Sequence, residues 1–131
     1  MGRNRLMLLD TCALLWLAHD QTKISPRVLK QIDESPVVSV SSVTGFEICL
    51  KNRSGKLDLP VPHREWLRLI LDHHRINVID LDLEICVRAT ELPLIHRDPC
   101  DRFIIATALT KGLPVVTGDN IFSKYGADTL I

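Results

Sequence analysis

Residues 96–122 read HRDPCDRFIIATALTKGLPVVTGDNIF, and this one stretch holds a helix start, a helix stop and a buried strand. Asp98 before Pro99 is a good N-cap followed by proline at the first helical position, where its missing N–H costs nothing. Phe103, Ile104, Ala106 and Ala108 carry the helix to Gly112, a residue that readily takes the left-handed conformation that ends helices. Val115 and Val116 then form a short strand that stops at Thr117-Gly118-Asp119. Asp98, Asp101 and Asp119 flank these apolar runs, either as punctuation or as half of a charged site.

The same alternation extends outward along the chain. Leu6 to Leu9 is a continuous apolar run, the pattern of a strand buried on both faces, and it ends at Asp10. Thr11 to Ala18 follows as a short helix, and Ser25-Pro26 starts a second that reaches Glu34. Val37 to Val40 is the second strand, after which Ser42 caps a helix that stops at Ser54-Gly55. Leu57 to Pro62 is a connector. Glu65 to His74 is an amphipathic helix, with Trp66, Leu67, Ile70 and Leu71 on one face. Val78 to Leu81 is the third strand, Asp82 caps the helix of Ile85, Cys86 and Ala89, a last helical turn lies near Ile121 to Tyr125, and a final strand spans Thr129 to Ile131. Strands separated by helices imply a parallel sheet covered on both faces, with right-handed crossovers.

The chain has 131 residues, 46% of them apolar, which suits a single domain over residues 1–131 with a substantial core. Lysine plus arginine balance aspartate plus glutamate at 16 each, so any nucleic-acid contact must use local patches rather than net charge. Cys12, Cys49, Cys86 and Cys100 lack a C-x-x-C spacing and read as buried free thiols of a reducing compartment. No apolar run approaches the ~20 residues of a membrane helix. The apolar part of MGRNRLMLLD is too short for a secretory signal. The expectation is a cytoplasmic protein.

In parallel sheets of this kind ligands bind outside the carboxyl ends of the strands. Asp10 closes the first strand and Asp119 follows the Val115-Val116 strand, so both project from one edge. Glu47 lies one turn into the helix after the second strand, and Asp101 in the first turn of the helix opened by Asp98. Each aspartate has an ordinary reading as a helix cap or dipole partner. Glu47, between Phe46 and Ile48, does not: it either faces solvent or has a ligand, because a lone buried carboxylate is costly. Brought together at roughly 4 Å, each like-charged pair costs on the order of 4 kcal/mol at an effective dielectric of 20, more than one cap contributes. A cation must then neutralise them. Oxygen donors favour Mg²⁺ or Mn²⁺, which activate water and stabilise a leaving oxygen at a phosphodiester.

LLDTCALLW, SSVTGFEICLKNRSGKLDL, LPLIHRDPCDRFIIATAL and GLPVVTGDNIFSKYG follow in the order and spacing of the PIN domain, and the chain resembles in particular the VapC-like toxin ribonucleases of bacterial toxin–antitoxin pairs. On that resemblance Asp10, Glu47, Asp101 and Asp119 are the acidic metal-binding quartet, and Asp98 is a supporting acid. The resemblance implies a three-layer α/β/α sandwich with a central parallel sheet and Mg²⁺- or Mn²⁺-dependent endoribonuclease activity that leaves a 5′-phosphate and a 3′-hydroxyl. It also implies a homodimer and inhibition by a small protein antitoxin. Cys12 stands where relatives often have His, Phe46 where Trp is common and Thr107 where Gln is common; these departures bear on substrate choice rather than on the acids.

Thr11 and Thr117 adjoin candidate ligands and either orient them or act as local caps. Lys51, Arg53, Lys56, Arg97 and Arg102 are candidates for RNA phosphate contacts, the alternative being a solvated basic face, and Arg102 can instead pair with Asp98 or Glu47. His19, His63, His73, His74 and His96 share no spacing and are assigned structural or surface roles, since a metal supplies hydroxide without a general base. Trp16 and Trp66 are assigned to the core or a dimer surface. A receiver-type phosphoacceptor and a haloacid-dehalogenase-like phosphatase also gather acids at strand ends. The first needs an Asp after a middle strand, where this chain has Ser41-Ser42, and the second an Asp-x-Asp, where it has Asp10-Thr11-Cys12. Two readings stand beside a toxin ribonuclease: a nuclease of RNA processing and a PIN fold that binds without cleaving.

Overall fold

The computed structural model describes residues 6–131. The opening of MGRNRLMLLD, on which the signal-peptide expectation rests, lies outside the described residues. Five strands form one parallel sheet: β1 (Met7–Leu9), β2 (Val38–Ser41), β3 (Ile76–Ile79), β4 (Val115–Val116) and β5 (Thr129–Leu130). Six helices connect and cover them: α1 (Thr11–His19), α2 (Pro26–Glu34), α3 (Ser42–Arg53), α4 (His63–His73), α5 (Leu83–Glu91) and α6 (Pro99–Lys111).

β1 and β4 are apolar throughout because both of their faces are covered, and β2 alternates Val38 and Val40 with the buried Ser39 and Ser41. Successive strand residues point to opposite sides. Met7 and Leu9 of β1 therefore pack with Ala13, Leu14, Val28, Ile48 and Trp66. Leu8 packs on the other side with Ile104, Ile105, Val115 and Phe122. Leu8 and Leu9 are both fully buried, each contributing about 1.5–3 kcal/mol of burial. Ile85 and Ala89 join α5 to Ala106 of α6 in a smaller cluster. The result is helix, sheet, helix in three layers.

The strand order is β3-β2-β1-β4-β5. The chain runs outward from β1 through β2 to β3, then returns to place β4 and β5 on the other side, so the order reverses between β1 and β4. A crevice opens at the carboxyl ends of two such strands. Receiver domains have a different order, 2-1-3-4-5, so topology joins the residues in excluding that alternative.

Local chemistry sets the helix ends. Asp10, Ser25, Asp82 and Asp98 each accept a hydrogen bond from a first-turn amide. Gly112 ends α6 with φ of 65°. Three expectations need correction. The cap of α3 is Ser41, whose hydroxyl accepts from the Val43 amide, while the Ser42 hydroxyl accepts from the Leu81 amide and ties α3 to the loop after β3. β3 begins two residues before the expected Val78, because α4 ends at His73 and pairing with β2 starts at Val38 and Ile76. As an edge strand it buries Ile76 but exposes Asn77 and Val78, so its apolar pattern is a poor guide to its register. The four cysteines are free, as expected, but Cys12 is exposed and the other three only partly buried. Among the described residues no helix is long and apolar enough to cross a membrane.

Candidate active site

The crevice between β1 and β4 is a cleft of about 710 Å³ whose walls include Asp10, Glu47, Asp98, Asp101 and Asp119. Four different chain segments deliver these acids. Asp10 follows β1, donates its amide to the Val116 carbonyl at 3.1 Å and accepts the Ala13 amide at 2.8 Å, so its carboxylate is fixed by both the sheet and α1. Burial pushes its pKa up; the Thr117 hydroxyl and the Ala13 amide oppose this, while Asp119 and Glu47 add to it.

Glu47 is buried in the middle of α3 and meets the cost of burial with partners rather than solvent. The Thr11 hydroxyl donates to Oε1 at 2.6 Å, and Lys51 Nζ lies 3.0 Å from Oε2. Thr11 also contacts the Thr44 hydroxyl at 3.1 Å, which secures its orientation. Lys51 is thus both the cation one helical turn below Glu47 and part of the cleft wall.

Asp101 projects from the first turn of α6. Its carboxyl is pushed up to about 6, chiefly by burial and then by neighbouring Asp98, with Glu47 and Asp10 adding and His96 opposing. The Asp98 amide donates to His96 Nδ1 rather than to Asp101, so the capping-box reading gives way to a contact of Asp101 with His96 Nε2 at 2.9 Å. Asp98 does cap the helix, accepting the Cys100 amide at 2.9 Å. Asp119 accepts the Ile121 amide on Oδ1 at 2.9 Å and places Oδ2 3.1 Å from the same His96 nitrogen. Its own amide donates to the Thr117 hydroxyl at 3.0 Å, so Thr117 shapes the turn that presents it.

His96 is the residue that the sequence reading missed. The sequence assigned it, with the other four histidines, a structural or surface role and named no partner for it. The available signal was its position two residues before the N-cap of α6, close enough to face that helix's first turn. Among the described residues, single ligand-type atoms of His96, Asp101 and Asp119 lie within 4.8 Å of one another. With Asp10 beside them, carboxylate oxygens dominate the donor set, which fits a hard divalent cation.

Arg102 corrects another expectation. It is 9% exposed, and its two terminal nitrogens donate to the carbonyls of Ala89, Leu92, Pro93 and His96. It therefore holds the α5–α6 connection instead of meeting phosphate, Asp98 or Glu47. Arg53, Lys56 and Arg97 are exposed and do not line the acidic cleft. Trp66 is a core residue that donates to His19 Nε2, whereas Trp16 is half-buried and forms one wall of the cleft.

Ribonuclease VapC22 of Mycobacterium tuberculosis is 25% identical to this chain over 114 residues, 86% of each protein. The crystal structure of VapBC2 from Rickettsia felis bound to a DNA fragment from their promoter aligns with a TM-score of 0.72 and 15% identity, over 95% of this chain and 96% of that one. A toxin–antitoxin complex from Klebsiella pneumoniae aligns with a TM-score of 0.59 and 20% identity, over 86% of each chain. At these identities the solved structures establish the fold. The PIN domain family model matches residues 7–128, nearly the whole chain, and the protein belongs to the PIN domain family.

Proposed function

We propose that this protein is a single-domain endoribonuclease that uses Mg²⁺ or Mn²⁺ and acts in the cytoplasm as the toxin of a toxin–antitoxin pair. In this reading it forms a homodimer and is held in check by a small protein antitoxin. One observation carries the chemistry: Asp10, Glu47, Asp101 and Asp119 meet in one cleft at the point where the strand order reverses. The biological role draws support from the ribonuclease relative and the toxin–antitoxin complex of the same fold.

Asp10, Glu47, Asp101 and Asp119 would hold the cation, with Glu47 oriented by Thr11. When bound, the cation supplies an activated water and stabilises the leaving oxygen. The Lys51 ammonium offsets one negative charge and sits where an RNA phosphate approaches, which matters because the bare cluster repels a polyanion. Thr117 and the Ile121 amide hold Asp119, and the Ala13 amide holds Asp10, so the acids keep their geometry when charged.

The test is incubation of total RNA with purified, antitoxin-free protein in Mn²⁺, Mg²⁺ or EDTA, with Asp10→Asn and Asp101→Asn alongside. Discrete metal-dependent fragments that disappear in both variants are expected. Intact RNA in every metal, from protein that still binds Mn²⁺, would instead mark a binding module.

A further inference from the structure

Building on the metal-site reading, we infer that His96 is a positioning residue: its Nε2–H donates to one oxygen of Asp101 and one of Asp119, presetting the two acids as a pair. The imidazole is neither a ligand of the cation nor a surface group.

The contacts at its two nitrogens decide between these roles. Nε2 lies 2.9 Å from Asp101 Oδ2 and 3.1 Å from Asp119 Oδ2. Nδ1 lies 3.2 Å from the Asp98 backbone nitrogen. A backbone amide can only donate, so Nδ1 is the acceptor and carries no proton. A neutral ring then has its proton on Nε2, facing two carboxylate oxygens. Ligation through Nε2 would require the opposite tautomer, with Nδ1–H aimed at an acceptor. Here Nδ1 faces a donor, so the ring is set to orient the ligands rather than to join them.

Asp101 and Asp119 need such a bridge because they come from different elements, the first turn of α6 and the turn after β4, and their charges repel. Each oxygen that accepts from Nε2 retains a second lone pair for a cation. The ring is itself braced. It meets buried Phe122 edge-on with centroids 6.3 Å apart. The His96 amide donates to the Tyr125 hydroxyl at 2.6 Å, and the His96 carbonyl accepts from Arg102 at 3.2 Å. Tyr125 in turn donates to the Pro93 carbonyl, the same oxygen that Arg102 holds. A buried arginine and a tyrosine thus clamp the segment 93–96, this segment aims the imidazole, and the imidazole aims two acids.

Three measurements test the inference. Long-range ¹H–¹⁵N NMR on the metal-free protein reads the tautomer directly: Nε2–H is expected at His96, and Nδ1–H would overturn the assignment. Calorimetric Mn²⁺ titration of wild type, His96→Ala and His96→Gln reads the consequence. His96→Ala is expected to weaken Mn²⁺ binding on the order of 10–100-fold, the usual cost of losing a partner of a metal ligand. Glutamine, whose amide can still donate to both acids, is expected to recover most of that loss. Equal affinity in wild type and His96→Ala sinks the inference, as does a directly bound nitrogen in the pulsed EPR spectrum of the Mn²⁺ protein. Should His96→Ala fail to fold, the wild-type tautomer and the glutamine variant still decide. Failure of wild type to bind any divalent ion would remove the metal-site reading instead, while the tautomer would still report whether His96 bridges the acids.

Discussion

Asp101 is where two demands on one side chain conflict. Its place beside Asp98, Glu47 and Asp10 suits cation binding and costs folding energy when no cation is present. Asp101→Asn is therefore expected to abolish RNA cleavage while leaving the EDTA-treated protein as stable as wild type or up to about 4 °C higher in Tm. Asparagine keeps a carbonyl oxygen for the His96 N–H and removes one like charge. A clear fall in Tm would show that the carboxylate's bond to His96 outweighs the repulsion. The four candidate acids could be picked out in the sequence because three sit at a strand end or in a helix's first turn and Glu47 is a carboxylate inside an apolar helix. His96 could not be, because its importance lies in which two side chains it faces, 5 and 23 positions away along the chain.

At the scale of elements, the connection between α5 and α6 depends on Arg102. Its terminal nitrogens satisfy four carbonyls, and hydrogen bonds from a charged donor contribute about 1.5–3 kcal/mol each, though not additively. Arg102→Met, which keeps the apolar stem, is expected to lower stability by roughly 3 kcal/mol or more, and Arg102→Lys to recover little because an ammonium lacks the planar fork. Urea denaturation measures both, and a loss well under 1 kcal/mol for methionine would mean that water replaces the guanidinium. The six helices were legible because their signals are local: Ser25-Pro26, Asp82 and Asp98-Pro99 are where the chain turns into helix, and α4, which has no side-chain cap, shows in the spacing of its apolar face. The misplaced β3 and the exchange of Ser41 for Ser42 share another cause. Strand register and the choice between adjacent serines are settled by partners on other elements, the β2 backbone and the Leu81 amide.

At the scale of the molecule, the proposed metal site would link folding to ion binding through the acidic cleft. An ion that binds only the folded state raises Tm by mass action, so Mn²⁺ or Mg²⁺ is expected to stabilise wild type and to do so much less for Asp101→Asn. The pH dependence follows from the carboxyl of Asp101, pushed up to about 6 in the folded chain against an ordinary 3.8. The folded state holds this proton more tightly than the unfolded chain, so the group's contribution to metal-free stability is complete below pH 4 and lost as pH rises through 6. Metal competes with the same proton, so the Mn²⁺-induced rise in Tm should be larger at pH 7.5 than at pH 5; an equal rise at both would place the ion away from Asp101. By itself the sequence determined the alternation of strands and helices, the caps that bound them and the acids available for a metal, because these follow from periodicity and from residues within one turn of each other. The strand order that opens the cleft between β1 and β4, the use of Arg102 as an internal clamp and the bridge from His96 to Asp101 and Asp119 were decided only by the tertiary structure. They depend on contacts between segments far apart along the chain, whose pairing no local pattern encodes.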